Sequence, residues 1–165
     1  MRWDIVTINF AAGTISEGGI ASARANDNSK ITLTGSGTFE LKPGNPHVTG
    51  GGTWVTFTPR GVETARGAYW VTDVVRFEAA PGTLPGLRDL IGDRNEASAG
   101  LAVLTIQFSD DSYGTLVVSC HLTNTPDSVF EGITVSKGFV DYWNREAPPD
   151  DPPGDANRTL FHITP

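Results

Sequence analysis

Residues 31–41 constrain the fold more than any other part of this 165-residue chain. Ile31, Leu33, Gly35, Gly37, Phe39 and Leu41 alternate with Thr32, Thr34, Ser36, Thr38 and Glu40. Successive side chains of a strand point to opposite faces, so this period of two marks a half-buried β-strand. Both glycines lie on the apolar face. There a missing side chain lets another backbone or a ligand come close, or lets the strand coil sharply.

Similar patterning recurs along the chain. Strands are predicted over 3–10, 20–25, 30–41, 54–58, 68–78, 101–108, 113–122, 133–143 and 159–163. Turn chemistry at Asn26-Asp27-Asn28-Ser29 and at Ser109-Asp110-Asp111-Ser112 makes two of the pairs hairpins. Gly50-Gly51-Gly52 marks a bend or bulge, and Lys42-Pro43-Gly44-Asn45-Pro46 a loop. The spacing of Leu84, Leu87 and Leu90 predicts a short helix. A second is expected from Thr125 as N-cap with Pro126 at the first position. The Pro- and Asp-rich stretch 146–157 cannot carry a ladder. The 19 Gly and 11 Pro fit many turns and few helices.

The expectation is one all-β domain over 1–165, a single antiparallel β-barrel of about eight to nine strands with one or two short helices. A β-sandwich is the alternative. The paired inward glycines favour the barrel, because closure requires strongly coiled strands.

Composition narrows the function classes. The net charge is −7, and no Lys/Arg cluster offers a face for nucleic acid or anionic membranes. The lone Cys120 excludes an intrachain disulfide. No secretory signal and no membrane-length apolar run is visible, so a soluble, cytoplasmic protein is expected.

Strand parity singles out Asp73, which falls with Val71, Val75 and Phe77. A carboxylate on an apolar face is paired, hydrogen-bonded or protonated. It is the acid/base candidate, unless a bulge turns it outward or Arg76 or Lys137 pairs with it. Lys137 shares a face with Ile133, Val135, Phe139 and Asp141, and an inward lysine there would meet an anionic ligand or form an imine. Cys120 and His121 are adjacent, so a strand sends them to opposite faces and separates them as a catalytic pair. Cys120 reads as a small buried hydrophobe. No spacing of the three histidines supports zinc, no acidic loop has the calcium pattern, and no cofactor is implied. Trp54, Tyr69, Trp70, Tyr142 and Trp143 lie at or near predicted strand ends, where aromatic rings line pockets or plug cores.

Gly35-Ser36-Gly37-Thr38-Phe39 followed by Val48-Thr49-Gly50-Gly51-Gly52-Thr53-Trp54 resembles the glycine-rich strands of allene oxide cyclase and dirigent barrels. Gly52-Thr53-Trp54 is also similar to the Gly-x-Trp of lipocalins, although theirs lies on the first strand. Both resemblances imply a small barrel with a central apolar cavity.

The expected function is binding of a small apolar or cyclic molecule inside the barrel, with Trp54, Tyr69, Trp70, Tyr142, Trp143 and Lys137 as ligand-binding residues. The barrel would hold the ligand or act as a cofactor-free cyclase or isomerase through Asp73. The competing expectation is a non-enzymatic interaction or structural β-module, a self-associating β-sandwich that forms a homo-oligomer or recruits partners by strand addition at an exposed edge.

Overall fold

The computed structural model describes residues 1–42, 47–149 and 155–163. The chain runs through β1 (Arg2–Asn9), β2 (Thr14–Glu17), β3 (Ala21–Arg24), β4 (Lys30–Leu33), β5 (Ser36–Glu40), β6 (His47–Val48), β7 (Gly51–Phe57) and β8 (Glu63–Ala80). It continues through β9 (Arg88–Asp89), β10 (Ala97–Phe108), β11 (Tyr113–Cys120), β12 (Gly132–Lys137), β13 (Val140–Tyr142), β14 (Asn144–Arg145) and β15 (Arg158–His162). Part of the loop expected at 42–46, and the acidic residues Asp150 and Asp151, lie outside the described residues.

The sheet is a closed antiparallel β-barrel. Following the pairings, β7 joins β8, β8 joins β10, β10 joins β15, β15 joins β1, β1 joins β5, and β5 returns to β7. From this ring β4 and β3 extend beyond β7, and β11, β12 and β13 extend beyond β10. β14 pairs with β3 directly after β13 pairs with β12, so residues 140–145 tie the two extensions together. The strand count exceeds the sequence expectation because long strands break and short pairings form between loops. The predicted strand over 30–41 divides at Thr34–Gly35 into β4 and β5, and Leu41 ends up exposed. The predicted strand over 133–143 turns back at Gly138, whose φ of +56° suits glycine.

The two inward glycines make room for the protein's own rings. A Cβ on Gly35 would lie 2.1 Å from the Tyr69 hydroxyl and 3.1 Å from Trp3 Cη2. On Gly37 it would lie 2.3 Å from the Thr49 carbonyl oxygen and 2.9 Å from Trp3 Nε1. The interior is filled by side chains including Trp3, Ile5, Leu33, Phe39, Leu104, Phe108 and Phe161, all buried. Edge-to-face packing of Trp54 on Phe108 at 5.8 Å and of Phe77 on Phe161 at 5.1 Å orders the rings.

Neither predicted helix forms. Among the described residues the only helical element is a 3-10 turn at Arg94–Glu96. Thr125 instead accepts the Leu122 N–H at 3.0 Å inside an irregular turn. Around Leu84 the chain carries Pro81, Pro85 and Gly86, which break a helix, and its leucines serve a different surface. Among the described residues no helix is long and apolar enough to cross a membrane.

That surface is the outer side of β1 and β15. β1 buries Trp3, Asp4, Ile5 and Val6 in succession, and β15 buries Thr159, Leu160, Phe161 and His162. Such runs are the signature of strands covered on both faces. The barrel core covers one face. The segment 81–96 covers the other. It is held by parallel pairing of β9 with β2, by the Thr83–Thr123 bridge, and by a bond of 2.7 Å between Asp89 Oδ2 and His162 Nε2, both side chains being buried. Asp4, also buried there, receives both Nε and Nη2 of Arg2 at 2.8 Å, and desolvation still raises its carboxyl above the ordinary range.

Candidate functional site

Between β1–β15 and the segment 81–96 a cleft of about 310 Å3 remains. Its apolar wall comes from Val6, Ile8, Ile15, Leu84, Leu87 and Leu160. Its polar end carries His121, Glu131, Arg158 and Thr159. A second, more open hollow of about 470 Å3 adjoins it, sharing His121, Glu131 and Arg158 and adding Asp127, Phe130 and Arg145.

Glu131 is the chemical centre of this arrangement. It sits at the end of the irregular segment between β11 and β12, and its carboxylate accepts the backbone N–H groups of His121 and Thr159. The Thr159 hydroxyl lies 3.3 Å from Oε1. Hydrogen bonds and the nearby Arg158 favour the ionised form, but burial dominates and pushes the Glu131 carboxyl up to about 7. A carboxyl at that value exchanges its proton near neutrality. The His121 ring is oriented by Nδ1, 2.7 Å from the Val129 carbonyl oxygen. With the Nδ1 proton given to that carbonyl, Nε2 is left as the acceptor.

Arg158 is held differently. Its Nε lies 3.3 Å from Asp155 Oδ1, yet both atoms are buried without a hydrogen-bond partner, so the pair attracts by charge but is misaligned. Its Cζ stands 5.3 Å from the centre of the Phe10 ring. Arg145 donates Nη1 to the Glu131 carbonyl at 3.3 Å and lies over Phe130.

The structure does not gather the residues expected from sequence into one site. Two bulges in β8 fall at Thr72 and Val75, where the register against β10 slips. Each reverses strand parity. Val71, Val74 and Phe77 therefore face inward, while Asp73 is exposed and accepts only the N–H of Val74 among the described residues. Val75, expected inward, is exposed as well.

Trp54 and Tyr69 are buried core residues. Trp54 Nε1 donates to the Ala68 carbonyl at 3.0 Å, and the Tyr69 hydroxyl donates to the Thr34 carbonyl at 2.8 Å. Tyr142 is buried too, whereas Trp70 and Trp143 lie on the outside, Trp143 bonding Asn26 Oδ1 at 3.1 Å. Lys137 caps the core rings, its Nζ 4.4 Å from the Trp54 centroid and 4.9 Å from that of Phe108, paired with Asp110. Asp141 is not its facial neighbour, because the turn at Gly138 sets Asp141 opposite Ser136. None of these residues lines the cleft or the hollow beside it.

Cys120 is fully buried, and desolvation pushes its thiol well above the ordinary value, so it packs as a small hydrophobe. Among the described residues no three His, Cys, Asp or Glu side chains converge on a metal site.

Sequence reasoning missed Glu131 and Arg158. Glu131 lies in the irregular segment just before β12 and Arg158 is the first residue of β15, and neither stands in a local motif that marks a site. No protein-family model, curated protein or solved structure matches this chain.

Proposed function

We propose that this β-barrel protein binds a small, mostly apolar molecule, and that the molecule lies in the cleft outside the ring rather than on the barrel axis. The observation that carries this reading is the termination of an apolar wall on the half-buried Glu131 carboxyl. Pockets for small ligands combine a largely apolar lining with a few convergent polar groups that fix orientation. The volume of about 310 Å3 lies at the lower end of the range of small-ligand pockets, about 300–1,000 Å3. A carboxyl that exchanges its proton near neutrality also supports a second reading, proton transfer to or from the bound molecule without a cofactor.

The test is a heteronuclear NMR titration with 1-decanol. Shifts confined to the amides of Val6, Leu87, Leu122 and Leu160, and abolished by filling the cleft with Ile8→Trp, support the reading. A saturating titration that leaves those amides unmoved overturns it.

A further inference from the structure

We infer that the ligand is a free monoanionic amphiphile, a single short apolar chain ending in a carboxylate, with its chain in the cleft and its charged end against Arg158 and Arg145. This inference rests on the cleft reading above and adds the chemical class.

Three observations carry it. First, the cleft and the open hollow share His121, Glu131 and Arg158, so a molecule longer than the apolar part passes those residues as it leaves the cleft. Second, the guanidinium of Arg158 makes no hydrogen bond to any described residue, and its charge pair with Asp155 is misaligned. A planar fork of donors that hydrogen-bonds no described residue suits a carboxylate, which it binds bidentately. Third, Arg145 brings a second guanidinium to the open hollow, and it is in no ion pair among the described residues. The cleft volume matches one short chain and is too small for a lipid with two.

Charge balance at the polar end gives the inference a further consequence. The groups around Glu131 are Arg158 and Thr159 from β15, His121 and Cys120 from the end of β11, Asp127 and Arg145 around the hollow, and Asp155 beside Arg158. With Glu131 ionised, the carboxylates of Glu131, Asp127 and Asp155 outnumber the two guanidiniums. With Glu131 protonated, the two signs balance. An anion therefore binds together with a proton, and its affinity falls as pH rises through the range where Glu131 ionises.

Isothermal titration of the intact protein with decanoate, 1-decanol and decyltrimethylammonium at pH 6 and pH 8 tests this. The expected result is decanoate at least tenfold tighter than decanol at pH 6, a smaller ratio at pH 8, and the weakest binding for the cation. Arg158→Met brings decanoate down to the level of decanol. Arg145→Gln, at an exposed position, lowers decanoate affinity severalfold without altering the fold and keeps the test open if Arg158→Met does not fold. Equal binding of decanoate and decanol, or preference for the cation, overturns the anionic class and leaves the cleft reading standing. Binding of none of the three overturns the cleft reading itself.

Discussion

Thr159 donates its backbone N–H to the Glu131 carboxylate, while its hydroxyl, 3.3 Å from Oε1, donates to the Ser119 carbonyl oxygen at 2.6 Å. Thr159 lies on β15, which closes the ring, and Glu131 lies on the irregular segment leading into β12. The contact therefore fastens a loop to the barrel and at the same time sets a carboxyl at the end of the cleft.

That position predicts a pH dependence of stability. The folded-state carboxyl of Glu131 is raised above its ordinary value to about 7. A group raised in this way contributes stability fully below the unfolded value, and the contribution is lost as pH rises through the folded value. The melting temperature of the protein falls between about pH 5 and 7.5 for this reason, and Asp4, raised in the same direction, adds to the trend. In Glu131→Gln the slope flattens. The variant is also destabilised at pH 5, by about 1–3 kcal/mol, because an amide NH2 replaces one acceptor opposite two backbone donors. Melting curves at both pH values check this, and an unchanged slope would place the burden elsewhere.

Gly37→Ala is expected to destabilise strongly. Its Cβ would meet backbone, 2.3 Å from the Thr49 carbonyl oxygen and 2.9 Å from Gly50 Cα, so little can yield. Overpacking of this kind costs about 1–3 kcal/mol. Urea denaturation measures the loss, which should exceed that of alanine at Gly61, where a Cβ meets open space but the φ of +82° still opposes it.

Lys137→Met removes a cation seated over Trp54 and Phe108 and paired with Asp110. A loss of about 1–2 kcal/mol is expected near neutral pH. The lysine and the Ser112 hydroxyl hold the Asp110 carboxyl down to about 2. A depressed carboxyl contributes stability above its unfolded value that is lost as pH falls through the folded one. The gap between wild type and variant should accordingly narrow from pH 4 to pH 2, by a modest amount because Asp110 is largely exposed. Chemical denaturation across that range reads it directly.

Asp73→Asn should leave stability within about 0.5 kcal/mol, the range of ordinary surface substitutions. The side chain is exposed, and it bonds only the N–H of the next residue among the described residues. A melting shift of several degrees would mean that Asp73 faces the core after all.

Much of the barrel was legible from local pattern. β10 alternates half-buried and buried positions from Leu101 to Phe108 as its sequence does, and Ile31, Leu33 and Phe39 point inward as their parity requires. The glycines at 35 and 37 announced a close approach, and Trp3 and Tyr69 provide it. Parity alone set Asp73 inward, and the structure takes the alternative left open beside it, a bulge that turns Asp73 outward, because a one-residue slip leaves no mark in the alternation itself. The predicted helix at Leu84 failed because helical spacing over two turns also suits a loop that lays Leu84 and Leu87 against a sheet and leaves Leu90 exposed.

The sequence alone determined that this chain is a small all-β protein with strands of known polarity, since side-chain parity along a strand is a local property. Tertiary structure decided where a ligand could lie. The cleft exists because residues 81–96 cross the outside of β1 and β15 and cover the face that the barrel core does not. Glu131, Arg158 and His121 come together only through pairings between residues far apart in the chain. Burial shifts a carboxyl through its surroundings, and those of Glu131 come from His121 at the end of β11 and from Arg158 and Thr159 of β15.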